Sequence, residues 1–186
     1  MKKSLSRISL NDLASIPDGT KVIIDTNIIL YTALNHPVFQ QSCTAFLIRV
    51  ENEEIQGFIP SVVIQEITHH FIISELMEKG YGKSVTDCIA HYKRDPLIMN
   101  ELSKTWTEIQ RLFKINCTIL YDNPETMRDS IPISRNFQLF TKDAHIASCA
   151  QFYKISHIAS NDKDFSRVSS LSVWKPQPDY RGNPHS

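Results

Sequence analysis

The chain has 186 residues, of which 41% are hydrophobic and 22% charged. Those are the proportions of a globular protein able to bury one substantial core, and they exclude a low-complexity or collagen-like chain. Twenty basic residues balance twenty acidic ones, so net charge neither points to nucleic acid nor excludes it, because phosphate binding depends on local clusters. No apolar run approaches the length of a membrane span, and the cationic start Met1-Lys2-Lys3 lacks a following apolar stretch. The expectation is therefore a cytoplasmic protein without membrane association. Cys43, Cys88, Cys117 and Cys149 form no CxxC pair, which argues for buried free thiols rather than a zinc knuckle or disulfide framework.

In chain order, residues 1–20 are polar, with a short helical possibility around 10–16. Lys21-Val22-Ile23-Ile24-Asp25 predicts a strand buried on both faces, because its β-branched run does not alternate. Phe39, Cys43, Phe46, Leu47 and Val50 fall at helical spacing and predict a helix over 37–53. A second strand is expected at 57–60, then a helix capped by Ser61 that reaches Lys79 and stops at Gly80. Asp95-Pro96 is a helix-start signal, and Ile98, Leu102, Ile109, Leu112 and Phe113 suggest an amphipathic helix of about five turns. Further expectations are a strand at 117–121, a short helix at 124–129, a Thr141-capped helix to Tyr153, and strands at 157–160 and 171–174. Residues 177–186 are polar and proline-rich and are expected to form a disordered tail. Strands alternating with helices imply a parallel sheet covered on both faces, in one domain.

Four acids carry the functional argument. Asp25 lies between two apolar runs, at the carboxyl end of a strand, where open α/β sheets bind ligands. It could equally be a helix cap or turn residue. Glu66, in Ser61-Val62-Val63-Ile64-Gln65-Glu66-Ile67, points within about 40° of Val62, Ile73 and Met77 at about 100° per residue, so it has either a buried partner or a ligand. Asp143 falls in the first turn of a small-residue helix, where the helix dipole tolerates negative charge. Asp162 follows the strand ending at Ser160, and a right-handed crossover would bring it to the same sheet edge as Asp25.

Together, VIIDTNIIL at 22–30, SVVIQEITHH at 61–70 and FTKDAHIASCAQFYKISHIASNDKDF at 140–165 resemble the PIN-domain family, which includes VapC-type toxin ribonucleases. The resemblance covers about residues 18–176 and is weakest over 80–134, a helical elaboration suited to a cap, a dimer surface or a substrate clamp. It implies a three-layer α/β/α fold with a central five-stranded parallel sheet, a single domain over 1–176. It places the family's acidic quartet on Asp25, Glu66, Asp143 and Asp162, with Asp164, on the other side of Lys163, a second candidate for the last position as a metal ligand. Thr26, Asn27, Lys142, Ser160 and Lys163 are expected to contact substrate. The cofactor implied is Mg²⁺ or Mn²⁺, one or two ions. The activity implied is RNA phosphodiester hydrolysis leaving a 5′-phosphate, by the toxin of a toxin–antitoxin pair. A homodimer and an antitoxin are the implied partners. The chemistry suits the residue types, since hard divalent cations take oxygen ligands and activate water against phosphate. An alternative reading is a PIN-like module that binds RNA or protein without cutting it.

Two other signals lead nowhere. Gly80-Tyr81-Gly82-Lys83-Ser84 lacks the first glycine of a phosphate loop and the strand before it. His69 and His70 point about 100° apart on a helix and cannot easily share an ion.

Overall fold

A computed structural model describes residues 11–179. Five parallel strands form one sheet in the order β3-β2-β1-β4-β5: β1 (Lys21–Ile24), β2 (Gln56–Pro60), β3 (Cys117–Leu120), β4 (His157–Ala159) and β5 (Ser172–Trp174). Strand β1 is central and pairs with β2 and β4. Val22, Ile23 and Ile24 are fully buried, as a strand with no alternating polar face requires. The chain builds outward from β1 to β3, then crosses back to β4, so the direction of winding reverses between β1 and β4. That is the switch point where open α/β sheets leave a crevice beyond the carboxyl ends of their strands.

The helices are α1 (Thr26–Ala33), α2 (Gln40–Glu51), α3 (Ser61–Glu78), α4 (Val85–Arg94), α5 (Ser103–Leu112), α6 (Pro124–Phe137) and α7 (Thr141–Phe152). Short 3-10 turns occupy Leu13–Ser15, Pro96–Glu101 and Asp164–Arg167. The main core joins the sheet to α1, α2, the first half of α3 and one side of α7. Ala144, Ala147 and Ala150 of α7 are fully buried, and these small residues let the helix sit close to its neighbours. At β2, a Cβ on Gly57 would lie 2.6 Å from Val50 Cγ1 and 2.9 Å from Cys117 Sγ. Only a residue without a side chain lets α2 and β3 approach this strand so closely.

Several helix expectations are corrected. No element was expected over residues 26–33, yet α1 forms there, capped by Asp25 and buried through Ile28 and Ile29. Helix α4 was likewise unforeseen; Ser84 caps it, accepting from Asp87 N. The five-turn helix from Pro96 is two pieces, because Leu102 (ψ 61°) leaves the helical region. Glu75 of α3 then serves as the cap of α5, its carboxylate accepting from Lys104 N and Thr105 N at 3.2 and 2.7 Å. A carboxylate supplied by another helix, invisible locally, sets this boundary. Ile73, Leu76, Cys88, Ile98 and Leu102 form a small separate core beneath this segment.

Helix α6 extends through Pro132 to Phe137, well beyond 129. Proline costs a backbone bond, but Ser130 and Ile133 are buried on either side of it, and packing outweighs propensity. Ser61 and Thr141 are the first helical residues rather than caps; Pro60 and Phe140 hold the cap positions without side-chain bonds. Gly80 (φ 82°) adopts the left-handed conformation just past α3, as its stop signal required. Of the expected tail, Asp179 accepts from Gln41 N and Ser42 N at the start of α2, so residues 177–179 are ordered. Residues 180–186 lie outside the described ones. Cys43, Cys88 and Cys149 are buried and free, and Cys117 is half-buried and free. Among the described residues, no helix is long and apolar enough to cross a membrane.

Candidate active site

The strand ends and helix starts at the switch point bring the acids together. Asp25 follows β1, where its N–H continues the ladder to Ala159 O at 3.0 Å. It is also the cap of α1, accepting from Thr26 N at 2.7 Å, so the cap and ligand readings of this residue are compatible. Its carboxylate is 1% exposed and accepts from Ser160 Oγ at 2.6 Å and from Asn27 Nδ2. Ser160, fully buried, in turn accepts from Asn27 Nδ2 and from Asp162 N at 3.2 and 3.0 Å. Asn27 Oδ1 accepts from Asn161 N at 3.0 Å. These bonds stitch the end of β4 to the start of α1.

Glu66 reaches the cluster from α3. Thr26 Oγ1 donates to its Oε2, and Lys142 Nζ donates to both carboxylate oxygens at 3.0 and 2.9 Å. His70, one turn on, holds its Nε2 4.0 Å from Glu66 Oε1. Lys142 Nζ also lies 3.6 Å from Asp143 Oδ1. One ammonium therefore serves two carboxylates directly and a third, Asp25, through space.

The electrostatics match this crowding. Burial pushes the Asp25 carboxyl up, and Glu66 adds to the rise, while Lys142, Ser160 and the Thr26 N–H oppose it. Asp143 is pushed up to about 6, first by burial and then by the charges of Asp25 and Asp162, against the pull of Lys142. A carboxyl in such a position ionises at a cost that a bound cation would relieve. Burial disfavours the charge on Lys142, but Asp25, Glu66 and Asp143 more than compensate and raise it.

The two candidates for the last acid differ in their surroundings. Asp162 is half-buried and its charge reaches Asp143; its Oδ1 accepts from Asp164 N at 2.8 Å. Asp164 instead pairs with Arg167 Nη2 at 2.7 Å, within its own 3-10 turn. Lys163 is exposed beside them.

Three of the residues expected on substrate face inward. Thr26 and Ser160 are buried, Asn27 is half-buried, and their polar atoms hold Glu66, Asp25 and the β4 end. Lys142 too is turned onto the acids. Chain order suggested phosphate contacts, but the packing of α7 against α3 directs its amine to Glu66. Sequence reasoning also passed over Asp122 and His145, paired at 2.6 Å. Asp122 follows β3 as Asp25 follows β1, and that parallel was the available signal. A groove of about 720 Å³ lies elsewhere, between α1, α3 and α5, and none of the four acids lines it.

Comparison with known proteins places the fold in a family. The chain is 32% identical over 156 residues to Ribonuclease VapC2 of Methanocaldococcus jannaschii, an alignment covering 84% of this chain and 94% of that protein. It is 22% identical over 157 residues to Ribonuclease VapC6 of the same organism, covering 84% and 97% of the two. Its fold matches a chain in the crystal structure of VapBC2 from Rickettsia felis bound to a promoter DNA fragment. There the TM-score is 0.55 at 15% identity, over 85% of this chain and all of that one. The PIN domain family model matches residues 22–171. With a five-stranded parallel sheet that gathers carboxylates at its switch point, and with these matches, the chain belongs to the PIN domain family.

Proposed function

We propose that this chain is a Mg²⁺- or Mn²⁺-dependent endoribonuclease whose acidic quartet is Asp25, Glu66, Asp143 and Asp162. The observation that carries the reading is the arrangement around Lys142: carboxylates from three separate elements share one ammonium, and burial, with the charges of Asp25 and Asp162 added, raises Asp143. An all-oxygen donor set with excess negative charge fits a hard divalent cation. Such a cation, when bound, lowers the pKa of an attacking water and offsets charge on the scissile phosphate. Thr26, Asn27 and Ser160 are positioning residues: they hold Glu66 and Asp25 in fixed orientations by direct hydrogen bonds. Lys142 keeps the cation-free cluster together and, once the acids have another counter-charge, can turn to RNA phosphate beside Lys163. Asp164, engaged with Arg167, is assigned to the loop rather than to the quartet.

The two Methanocaldococcus relatives are named ribonucleases, which supports RNA as substrate. The Rickettsia relative is described as VapBC2 on promoter DNA. By that analogy we place this chain as the cytoplasmic toxin of a toxin–antitoxin pair, acting as a homodimer with a small antitoxin as partner. Residues 1–176 are read as one domain in which 80–134 is an elaboration. The test is cleavage of a structured RNA pool by the full chain with Mn²⁺, with Mg²⁺ and with EDTA, beside Asp25→Asn and Asp143→Asn. Metal-dependent cutting that both substitutions abolish is expected. An intact fold that cuts under no condition would replace this reading with that of a non-cutting binding module.

A further inference from the structure

A second cluster lies outside the quartet. Asp122 follows β3, and His145 and Cys149 stand one turn apart on α7. The Asp122 carboxylate, His145 ring and Cys149 sulfur each offer an atom within 4.8 Å of the other two. His145 Nε2 is 2.6 Å from Asp122 Oδ1 and 3.7 Å from Cys149 Sγ. Ser61 Oγ, at the start of α3, lies 2.5 Å from Asp122 Oδ2. His145 and Cys149 are buried while Asp122 is exposed, so the cluster opens to solvent on one side.

We propose that Asp122, His145 and Cys149 bind a zinc-class divalent cation, with water or Ser61 completing the coordination. Donor atoms on one tetrahedral zinc, at bond lengths of roughly 2.0–2.3 Å, lie about 3.4–3.6 Å apart. The histidine–cysteine separation already fits, and the Asp122–His145 bond has to open by about 1 Å. In the cation-free state His145 Nε2 carries the proton that it donates to Asp122. On metal binding that proton leaves Nε2, and the ring keeps or takes a proton at Nδ1, which is buried without a hydrogen-bond partner among the described residues. Nε2 and the Asp122 carboxylate then both turn to the ion. Burial pushes the Cys149 thiol up to about 12, so the cation-free residue is a thiol. Forming the metal–sulfur bond releases its proton to solvent. One thiolate and one carboxylate then neutralise the ion.

The sulfur and imidazole donors distinguish this site from the all-oxygen quartet, since softer ligands favour zinc over magnesium or manganese. Bound there, the ion ties the end of β3 to the helix that carries Lys142 and Asp143. It is a structural clasp next to the acids and independent of the ribonuclease reading.

The test is calorimetric titration of metal-stripped full-length protein with Zn²⁺ in the presence of excess Mg²⁺, with Co²⁺ as a spectroscopic probe. Expected are one equivalent of Zn²⁺ and a thiolate-to-cobalt charge-transfer band. The band should vanish in Cys149→Ser, and zinc affinity should fall at least about tenfold in His145→Gln and in Asp122→Asn. Asp122 is exposed, so its substitution remains informative if a buried change unfolds α7. No charge-transfer band, or zinc uptake that Asp122→Asn leaves unchanged while Asp25→Asn abolishes it, overturns the assignment.

Discussion

Asp143→Asn stabilises the metal-free protein at neutral and alkaline pH. The Asp143 side chain is 11% exposed and its carboxyl is raised from 3.8 to about 6. The folded state therefore binds the proton more tightly than the unfolded state. The contribution of this one group to stability is greatest below about pH 4, falls as pH rises from about 4 to about 6, and stays reduced above that. A rise of about two pH units corresponds to a penalty on the order of 3 kcal/mol at pH 8. Asparagine has nearly the same shape but no charge. The raised value already includes the pull of Lys142, so the gain is about 1–3 kcal/mol. For a chain of this length that is a rise in Tm of very roughly 2–10 °C. Urea melts in EDTA at about pH 8 and about pH 4 measure it. The gain should be present at the higher pH and nearly gone at the lower. Adding Mn²⁺ should reverse the order, because binding to the folded state stabilises only a protein that keeps its ligands. A variant that is less stable at pH 8, or a difference that does not change with pH, would refute the idea that crowded acids strain this site.

Four other outcomes follow from particular contacts. Ser160→Ala removes the hydroxyl that joins Asp25, Asn27 and Asp162, and should lower RNA cleavage by roughly 10–100-fold and metal-free stability by about 1–3 kcal/mol, because its buried partners lose a hydrogen bond. Asp162→Asn should abolish cleavage, whereas Asp164→Asn, which loses only the Arg167 pair, should retain most of it; equal loss in both would reassign the fourth acid. Glu75→Ala strips α5 of its cap and should cost about 1–2 kcal/mol, with amide exchange accelerated first over residues 103–112. Gly57→Ala forces a Cβ to within 2.6 Å of Val50 and should cost about 1–3 kcal/mol in a urea melt; a neutral result would mean that α2 yields easily.

Much of the scaffold was legible in the sequence because its signals are local. The buried β-branched run before Asp25, the glycine after α3 and the alternation of strands with helices each rest on a few neighbouring residues, and all five strands emerged near their expected places. Asp25 and Glu66 were visible as charges in apolar surroundings, whereas Asp143 and Asp162 stood out only in combination, through the resemblance to PIN domains. Tertiary structure alone decided the rest, because the determining partner lies far along the chain. Glu75 splits the segment after Pro96 by capping α5 from 29 and 30 residues away. Pro132 stays helical because α6 has α7 to pack on. Lys142, a surface cation by sequence, becomes the shared counter-charge of Glu66 and Asp143 because α7 lies against α3. Thr26 and Ser160 look like substrate contacts in a motif, but burial turns their hydroxyls onto the carboxylates they hold. Residue type fixed which chemistry was available; the sheet's switch point, which exists only once β4 has paired with β1, brought those residues within reach of one another.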